Sequence, residues 1–422
     1  MKEKKSISNF IKTLGPGILF ASTAIGVSHL VQSTRAGAVY GFGLIAFVIA
    51  ANVFKYPFFE FGSRYANATG TTIIDGYNRI GKWMIWLYFL ITIGSMFFVC
   101  GAVGAVTSGF LQNLFGISSW GIWATVALFI LCTSILIAGK YKILDSMTKI
   151  IGVVLLLSTL LAFTLALMKG AAPVKVGFVA PDIWSNNSML FVIALMGWMP
   201  TAVDLSAWSS LWTIERIKQT GYKPTMKETL ADFNFGYIVS AVLAICFLTL
   251  GAYVLYGTGK ELPESSAGFA SEIVGMFTTF IGDWSYIIIA IAGFSIMFGT
   301  CITVFDGYAR SIERSSILLF QKGDQEKTSS SRVYIASLLV VALGSFGIIF
   351  FLGKQLKNLV DLATTLSFLI APVIAVVNYR LVTSSHVKKE DQPKLWLRIL
   401  SWLGIIFLTG FAAYYVKIRF FN

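Results

Sequence analysis

Eleven apolar stretches follow one another along this chain, each long enough to cross about 30 Å of hydrocarbon as a helix rising about 1.5 Å per residue. They run Leu14 to Val39, Phe42 to Tyr65, Trp83 to Gly109, Gly121 to Ala138, Met147 to Met168, Met189 to Trp212, Phe233 to Leu255, Trp284 to Leu319, Val333 to Leu352, Leu359 to Val382 and Trp396 to Tyr415. In lipid, a segment of that length satisfies its own N–H and C=O groups only as a helix, so the expected class is an all-α integral membrane protein. Composition agrees: 56% of the 422 residues are hydrophobic and 13% are charged, a balance unsuited to a water-soluble fold. The eighth stretch exceeds one crossing. Its far end, carrying Asp306, Arg310, Glu313 and Arg314, is expected to continue into water as helix, with Asp306 and Arg310 paired one turn apart.

The formal net charge of +13 would suit a nucleic-acid binder, but its placement gives another reading. With the N-terminus in the cytoplasm, 24 of the 33 lysines and arginines fall on that side, 8 on the other, and Lys55 lies within a span. This is the positive-inside bias of a multi-pass protein. Clusters such as Arg216, Lys218, Lys223 and Lys227 then face anionic membrane lipid, and nucleic acid is not an expected partner. A bacterial plasma (inner) membrane is the expected setting. Lys55 and Glu60 are read as snorkelling or paired groups in the cytoplasmic half.

All four cysteines lie inside spans without a CxxC pair, which argues against a disulfide framework or zinc knuckle. There is no Walker-type loop, and His29 and His386 are the only histidines. Neither an ATP-driven pump nor an enzyme is expected, and no cofactor is implied. Polar connections are loop-sized, so the chain reads as one membrane domain. Its parts are a cytoplasmic tail at 1–13, a first five-helix repeat at 14–168, a second at 189–382 and an eleventh helix at 396–415.

The division into halves rests on two interruptions. In the first span, Gly26 precedes Val27, Ser28 and His29; in the sixth, "ALMGWMPTAVDLSAW" places Gly197 and Pro200 at similar depth, followed by Thr201 and Asp204. Matching broken helices five spans apart point to an inverted-repeat secondary transporter with solute bound where the helices unwind. Around the first break, Ser22, Gly26, His29, Ser33 and Gly37 recur at spacings of three and four, with Ser28, Gln32 and Arg35 in a row beside them. Such polarity is costly towards lipid, so both rows should face the interior or a water-filled cavity.

Several further stretches carry a family resemblance: "LGPGILFA" opening the first span, "AGAVYGFGLIAFVIAANV", "GSRYANATG", "LQNLFGI", "MPT" in the sixth span and "LSFLIAPV" in the tenth. In order and spacing the chain resembles the Nramp divalent-metal transporters, which implies a LeuT-type fold of 5+5 inverted repeats working by alternating access. The family's Asp-Pro-Gly-Asn metal motif falls here on Gly26, Val27, Ser28 and His29, and its Met-Pro-His on Met199, Pro200 and Thr201. Its paired acids of the third span fall on Cys100 and Val103, and a glutamine of the tenth on Ala363.

The expected function is therefore an Nramp-related secondary transporter of a small solute, with the solute class open. Imidazole and thioether at the two breaks, His29 and Met199, would suit a transition-metal cation. A site lacking the family's carboxylate would equally admit a small polar organic or anionic solute, and a non-transporting receptor would keep the same fold. Gly26, Ser28, His29, Gln32, Ser33, Gly197, Met199, Thr201 and Asp204 form the expected substrate site. Arg35, Asp306 and Arg310 are expected to set charge or gating. Asp204 is a candidate ligand, proton carrier or partner of Arg35, and an unpaired Arg35 would draw anions at the external mouth.

Overall fold

The computed structural model describes residues 15–139, 141–320, 330–353 and 355–421, and the expected tail at 1–13 lies outside them. Among the described residues there are helices and turns but no strand. The first span is broken: α1 (Pro16–Ala24) stops at Ile25, a π-helical stretch covers Ser28–Ser33, and α2 (Thr34–Tyr40) completes the crossing. α3 (Ile45–Thr69), the short α4 (Ile73–Ile80), α5 (Lys82–Phe115), α6 (Ile122–Ile137) and α7 (Tyr141–Lys169) finish the first half. The sixth span is broken likewise. α8 (Asn186–Gly197) gives way to an irregular segment through Met199 and Pro200, a 3-10 turn (Val203–Leu205) and α9 (Ser206–Thr220). α10 (Met226–Leu255), α11 (Ser266–Ile281), α12 (Tyr286–Phe320), α13 (Ser331–Leu352) and α14 (Leu356–Val382) follow, and α15 (Leu395–Phe420) comes last.

Local sequence sets the helix limits. Gly70 and Gly116 end α3 and α5 at φ of 70° and 66°, a left-handed conformation that a residue without Cβ adopts freely. Thr72 with Asp75, and Thr225 with Glu228, form capping boxes that start α4 and α10. Among the described residues, seven helices, α3, α5, α10, α12, α13, α14 and α15, are long and apolar enough to cross a membrane. The chain is an integral multi-pass membrane protein of the broken-helix, five-plus-five kind.

Packing places both breaks at the centre. α1 and α2 lie along α10, α8 along α14, α9 along α3, and α5 along α12. α13 and α15 sit at the periphery, presenting Leu339, Val340 and Leu343, and Trp402, Leu403 and Ile406, to the surroundings. These exposed faces suit lipid, whereas the polar rows of the first span, the half-buried Ser22 apart, are buried.

Two expectations need correction. Part of the stretch read as a loop from 257 to 271 opens α11, whose Phe269, Ala270, Ile273, Val274 and Phe277 are buried on one face against α5 and α12. The far end of α12 is helical but not solvated: Asp306, Glu313 and Arg314 are 2%, 4% and 8% exposed. Neighbours cover it. Arg310 and Tyr334 bind Asp306, Asp75 of α4 binds Arg314, and the Ser330 amide donates to Glu313. The expected Asp306–Arg310 pair is present at 2.8 Å.

Candidate functional site

The wide turn of the π-helical stretch splits the polar rows of the first span between three neighbours. Before it, Thr300 of α12 donates to the Ser22 carbonyl at 2.9 Å and packs so close to Gly26 that a Cβ there would lie 2.6 Å from its methyl. After it, His29 turns to α10: its Nε2 lies 2.8 Å from the Ser240 carbonyl and its Nδ1 2.7 Å from Ser28 Oγ. Both ring nitrogens of a fully buried imidazole are thus engaged within the protein. Ser33 is also fully buried, its hydroxyl without a partner among the described residues.

Gln32 and Arg35 face α14. Arg35 grips Asp361 with two hydrogen bonds of 2.7 and 3.0 Å, while Gln32 donates to Asp361 at 2.9 Å and to Thr364 at 3.3 Å and accepts from Arg35 at 2.9 Å. The bidentate fork fixes geometry as well as charge. Arg35 is therefore neither free to draw anions nor bonded to Asp204, because its partner comes from the tenth span.

At the sixth span, Gly197 allows a close crossing, since a Cβ there would lie 2.0 Å from the Thr364 carbonyl. At the break the carbonyls of the last residues of α8 lose their regular helical donors, Met196 keeping a 3.3 Å bond from the Met199 amide, and Lys55 of α3 reaches them. Its Nζ donates to the carbonyls of Met196, Gly197 and Thr201 at 3.0, 2.9 and 2.7 Å. Leaving any one of them unpaired in this setting would cost about 1–3 kcal/mol. Lys55 is fully buried, so of the two readings the sequence allows, snorkelling or paired, it is the partnered one that the three carbonyls fit. Its place near the middle of α3 is the available signal, being too deep to reach an interface. Glu60, read alongside it, is paired with Arg64. Asp204 lies in the 3-10 turn, 6% exposed, and interacts electrostatically with Lys55 and with the phenols of Tyr77, Tyr88 and Tyr308. One of its oxygens has no hydrogen-bond partner among the described residues.

Between the two breaks is a cavity of about 20 Å³, room for about one water molecule. Thr23, Val27 and Ser28 line it from the first span, and Trp198, Thr201, Ala202 and Leu205 from the sixth. Val99 and Val103 of α5 and Thr300 and Val304 of α12 complete it. Hydroxyls and apolar groups form this lining, without a charged side chain. Trp198 is fixed by its indole N–H, which donates to Ser367 of α14 at 2.9 Å. Of the expected site residues, Ser28 and Thr201 reach the cavity lining, Gly26 and Gly197 shape the breaks, and Met199 is fully buried outside the lining. No cluster of three or more His, Cys, Asp or Glu side chains that could hold a metal occurs among the described residues.

Residues 17–417 match the family described as natural resistance-associated macrophage protein-like, or Nramp. An uncharacterized protein of Pasteurella multocida is 35% identical over 418 residues, covering 98% of this chain and 94% of that protein. Among solved structures, a mutant form of the manganese transporter of Eremococcus coleocola superposes with a TM-score of 0.66 at 15% identity, over 96% of this chain and 85% of that one. MhsT in complex with L-phenylalanine does so with a TM-score of 0.57 at 15% identity, over 94% and 98%. At such identities the structural likeness speaks for the fold only, but the sequence match runs almost end to end: the chain belongs to the Nramp family and is a LeuT-fold secondary transporter, not an enzyme.

Proposed function

We propose that this transporter moves a small polar organic solute, uncharged or bearing a carboxylate, by alternating access between its two five-helix halves at 14–168 and 189–382. One observation supports this above the others: the cavity between the breaks offers hydroxyls and apolar surface but no anionic or imidazole ligand. A dication stripped of water requires negative charge or several strong dipoles. Of the nearby acids, Asp361 is committed to Arg35, and Asp204 does not reach the cavity lining. The second half of the sixth span begins beside the cavity at Thr201, Ala202 and Leu205. The first N–H groups of such a half-helix lack helical acceptors, a polarity that favours a carboxylate or carbonyl on the solute. The setting that fits the charge distribution is a bacterial plasma membrane with the N-terminus inside.

A divalent cation is the second reading, favoured by the cavity's size, since about 20 Å³ accommodates an ion without rearrangement whereas an organic solute needs the site to open. A similar fold serves a protein named as a manganese transporter. Under this reading His29 turns from Ser240 to join Met199 and the freed carbonyls as ligands. A binding screen of the purified full chain by thermal shift, with Mn²⁺, Zn²⁺ and Cd²⁺ beside small amides, amino acids and carboxylates, separates the two. Stabilisation by an organic solute, followed by its uptake into proteoliposomes, is the expected result. Stabilisation by a metal ion that disappears in His29→Ala, with no response to any organic solute, would replace it with the cation reading.

A further inference from the structure

We propose that the three backbone carbonyls at the break of the sixth span form a monovalent-cation cage, which the protein fills with the ammonium of its own Lys55. Met196 and Gly197 end α8, where regular i to i+4 donors run out, the Met196 carbonyl keeping a 3.3 Å bond from the Met199 amide on one lone pair, and the helix dipole places partial negative charge. Thr201, across the irregular segment, turns its carbonyl to the same point. All three oxygens lie within 3.0 Å of Lys55 Nζ. Converging backbone carbonyls are the donor set with which unwound membrane helices hold Na⁺ or K⁺. A primary ammonium carries the same single charge and has three N–H donors for the three acceptors.

The surroundings fit an internal cation rather than a chance contact. The face of Phe59 lies 5.8 Å from the Lys55 nitrogen, and Asp204, four residues beyond Pro200, adds an attractive electrostatic interaction. Lys55 belongs to the first half of the chain and the cage to the second, so the tethered charge also locks the two halves together at the break. A permanently filled cage leaves no vacancy for an alkali cation. The break is thus held in shape without Na⁺ or K⁺, and neither ion can drive the transporter through this position. The inference holds whichever solute is carried, and its test reads stability rather than transport, so it fails or stands separately from the functional reading above.

The decisive comparison is among wild type, Lys55→Ala, which empties the cage, and Lys55→Met, which fills the space without charge. Thermal unfolding of each purified protein is followed in NaCl, KCl, NH4Cl and choline chloride at one pH and one ionic strength. Lys55→Ala should be destabilised in choline and recover saturably with at least one of the small cations. Its Tm should rise by about 2 °C for each tenfold excess over the binding constant. Wild type and Lys55→Met should show no difference between choline and the small cations. The proposal is overturned if Lys55→Ala gains nothing from any small cation, or cannot be obtained folded in any of the four salts. It is equally overturned if Lys55→Met responds as strongly as Lys55→Ala, or if wild type itself shows saturable Na⁺ or K⁺ dependence.

Discussion

Arg35 and Asp361 stand 326 residues apart in the chain and 2.7 Å apart in space, and their pairing settles a charge that the sequence leaves open. The guanidinium and carboxylate are 11% and 32% exposed, so the pair is partly screened and its net contribution is smaller than that of a fully buried ion pair. A double-mutant cycle with Arg35→Gln and Asp361→Asn, read by thermal stability, should show coupling of about 0.5 to 3 kcal/mol. The parallel cycle of Arg35→Gln with Asp204→Asn should be additive within about 0.5 kcal/mol, since the two residues share no partner. Coupling in the second cycle but not the first would reassign Arg35 to the sixth span. Sequence singles out the buried polar residues of the first span, Ser28, His29, Gln32 and Arg35, because polarity inside a span is itself a signal. It cannot identify their partners: spacing along one helix says nothing of Asp361 or Ser240, which tertiary packing supplies. The role of Lys55 is hidden for the same reason, as the carbonyls that hold it belong to another span.

At the scale of elements, the two breaks are legible because Gly26, Gly197 and Pro200 interrupt otherwise continuous apolar runs, and the eleven crossings follow from length and hydropathy. What escapes is geometry that no residue type announces. The π-helical turn over Ser28–Ser33 divides one predicted face between α10 and α12, and α11 is too short to span and so leaves no length signal. Another such feature is the closeness of α2 to α10. A Cβ on Gly37 would lie 1.9 Å from the Leu248 carbonyl, and one on Gly251 2.2 Å from the Thr34 carbonyl. The two helices therefore touch backbone to backbone, reciprocally, through glycines. Gly37→Ala must push them apart, with an expected loss of about 1–3 kcal/mol in thermal stability. At Gly94 of α5 a Cβ would meet no other atom within 4 Å, and Gly94→Ala should be neutral or slightly stabilising through helix propensity. Equal losses at both sites would show that backbone contact is not what makes Gly37 matter.

At the scale of the whole molecule, contacts between distant loops sort the chain into two ends. At one end Asp232, in the second turn of α10, accepts from the Gly15 and Gly17 amides at the start of α1. Arg64 reaches the Asp391 carbonyl, and Asp75 binds Arg314. At the other end, the Ala172 amide donates to the Tyr253 carbonyl, that of Lys175 to Gly257, and that of Leu356 to Glu264. This alternation agrees with the number of crossings and leaves one binary choice, which end faces the cytoplasm. Basic residues decide it physically, because lysines and arginines beside short loops are retained on the cytoplasmic side. The first end holds Arg216, Lys218, Lys223 and Lys227 around the turn from α9 to α10, and Lys388, Lys389 and Lys394 in the loop before α15. In a background where the four native cysteines, all buried, are left in place, Ser265→Cys and Lys223→Cys put one exposed thiol at each end. Intact cells treated with a membrane-impermeant maleimide should label Ser265→Cys and spare Lys223→Cys, which should react only after permeabilisation. The reverse pattern would turn the molecule over in the membrane and place the start of α10 and the N-terminus outside. Labelling of both from outside would contradict the two-ended arrangement itself, since no rigid rotation of this bundle brings Lys223 and Ser265 to one face.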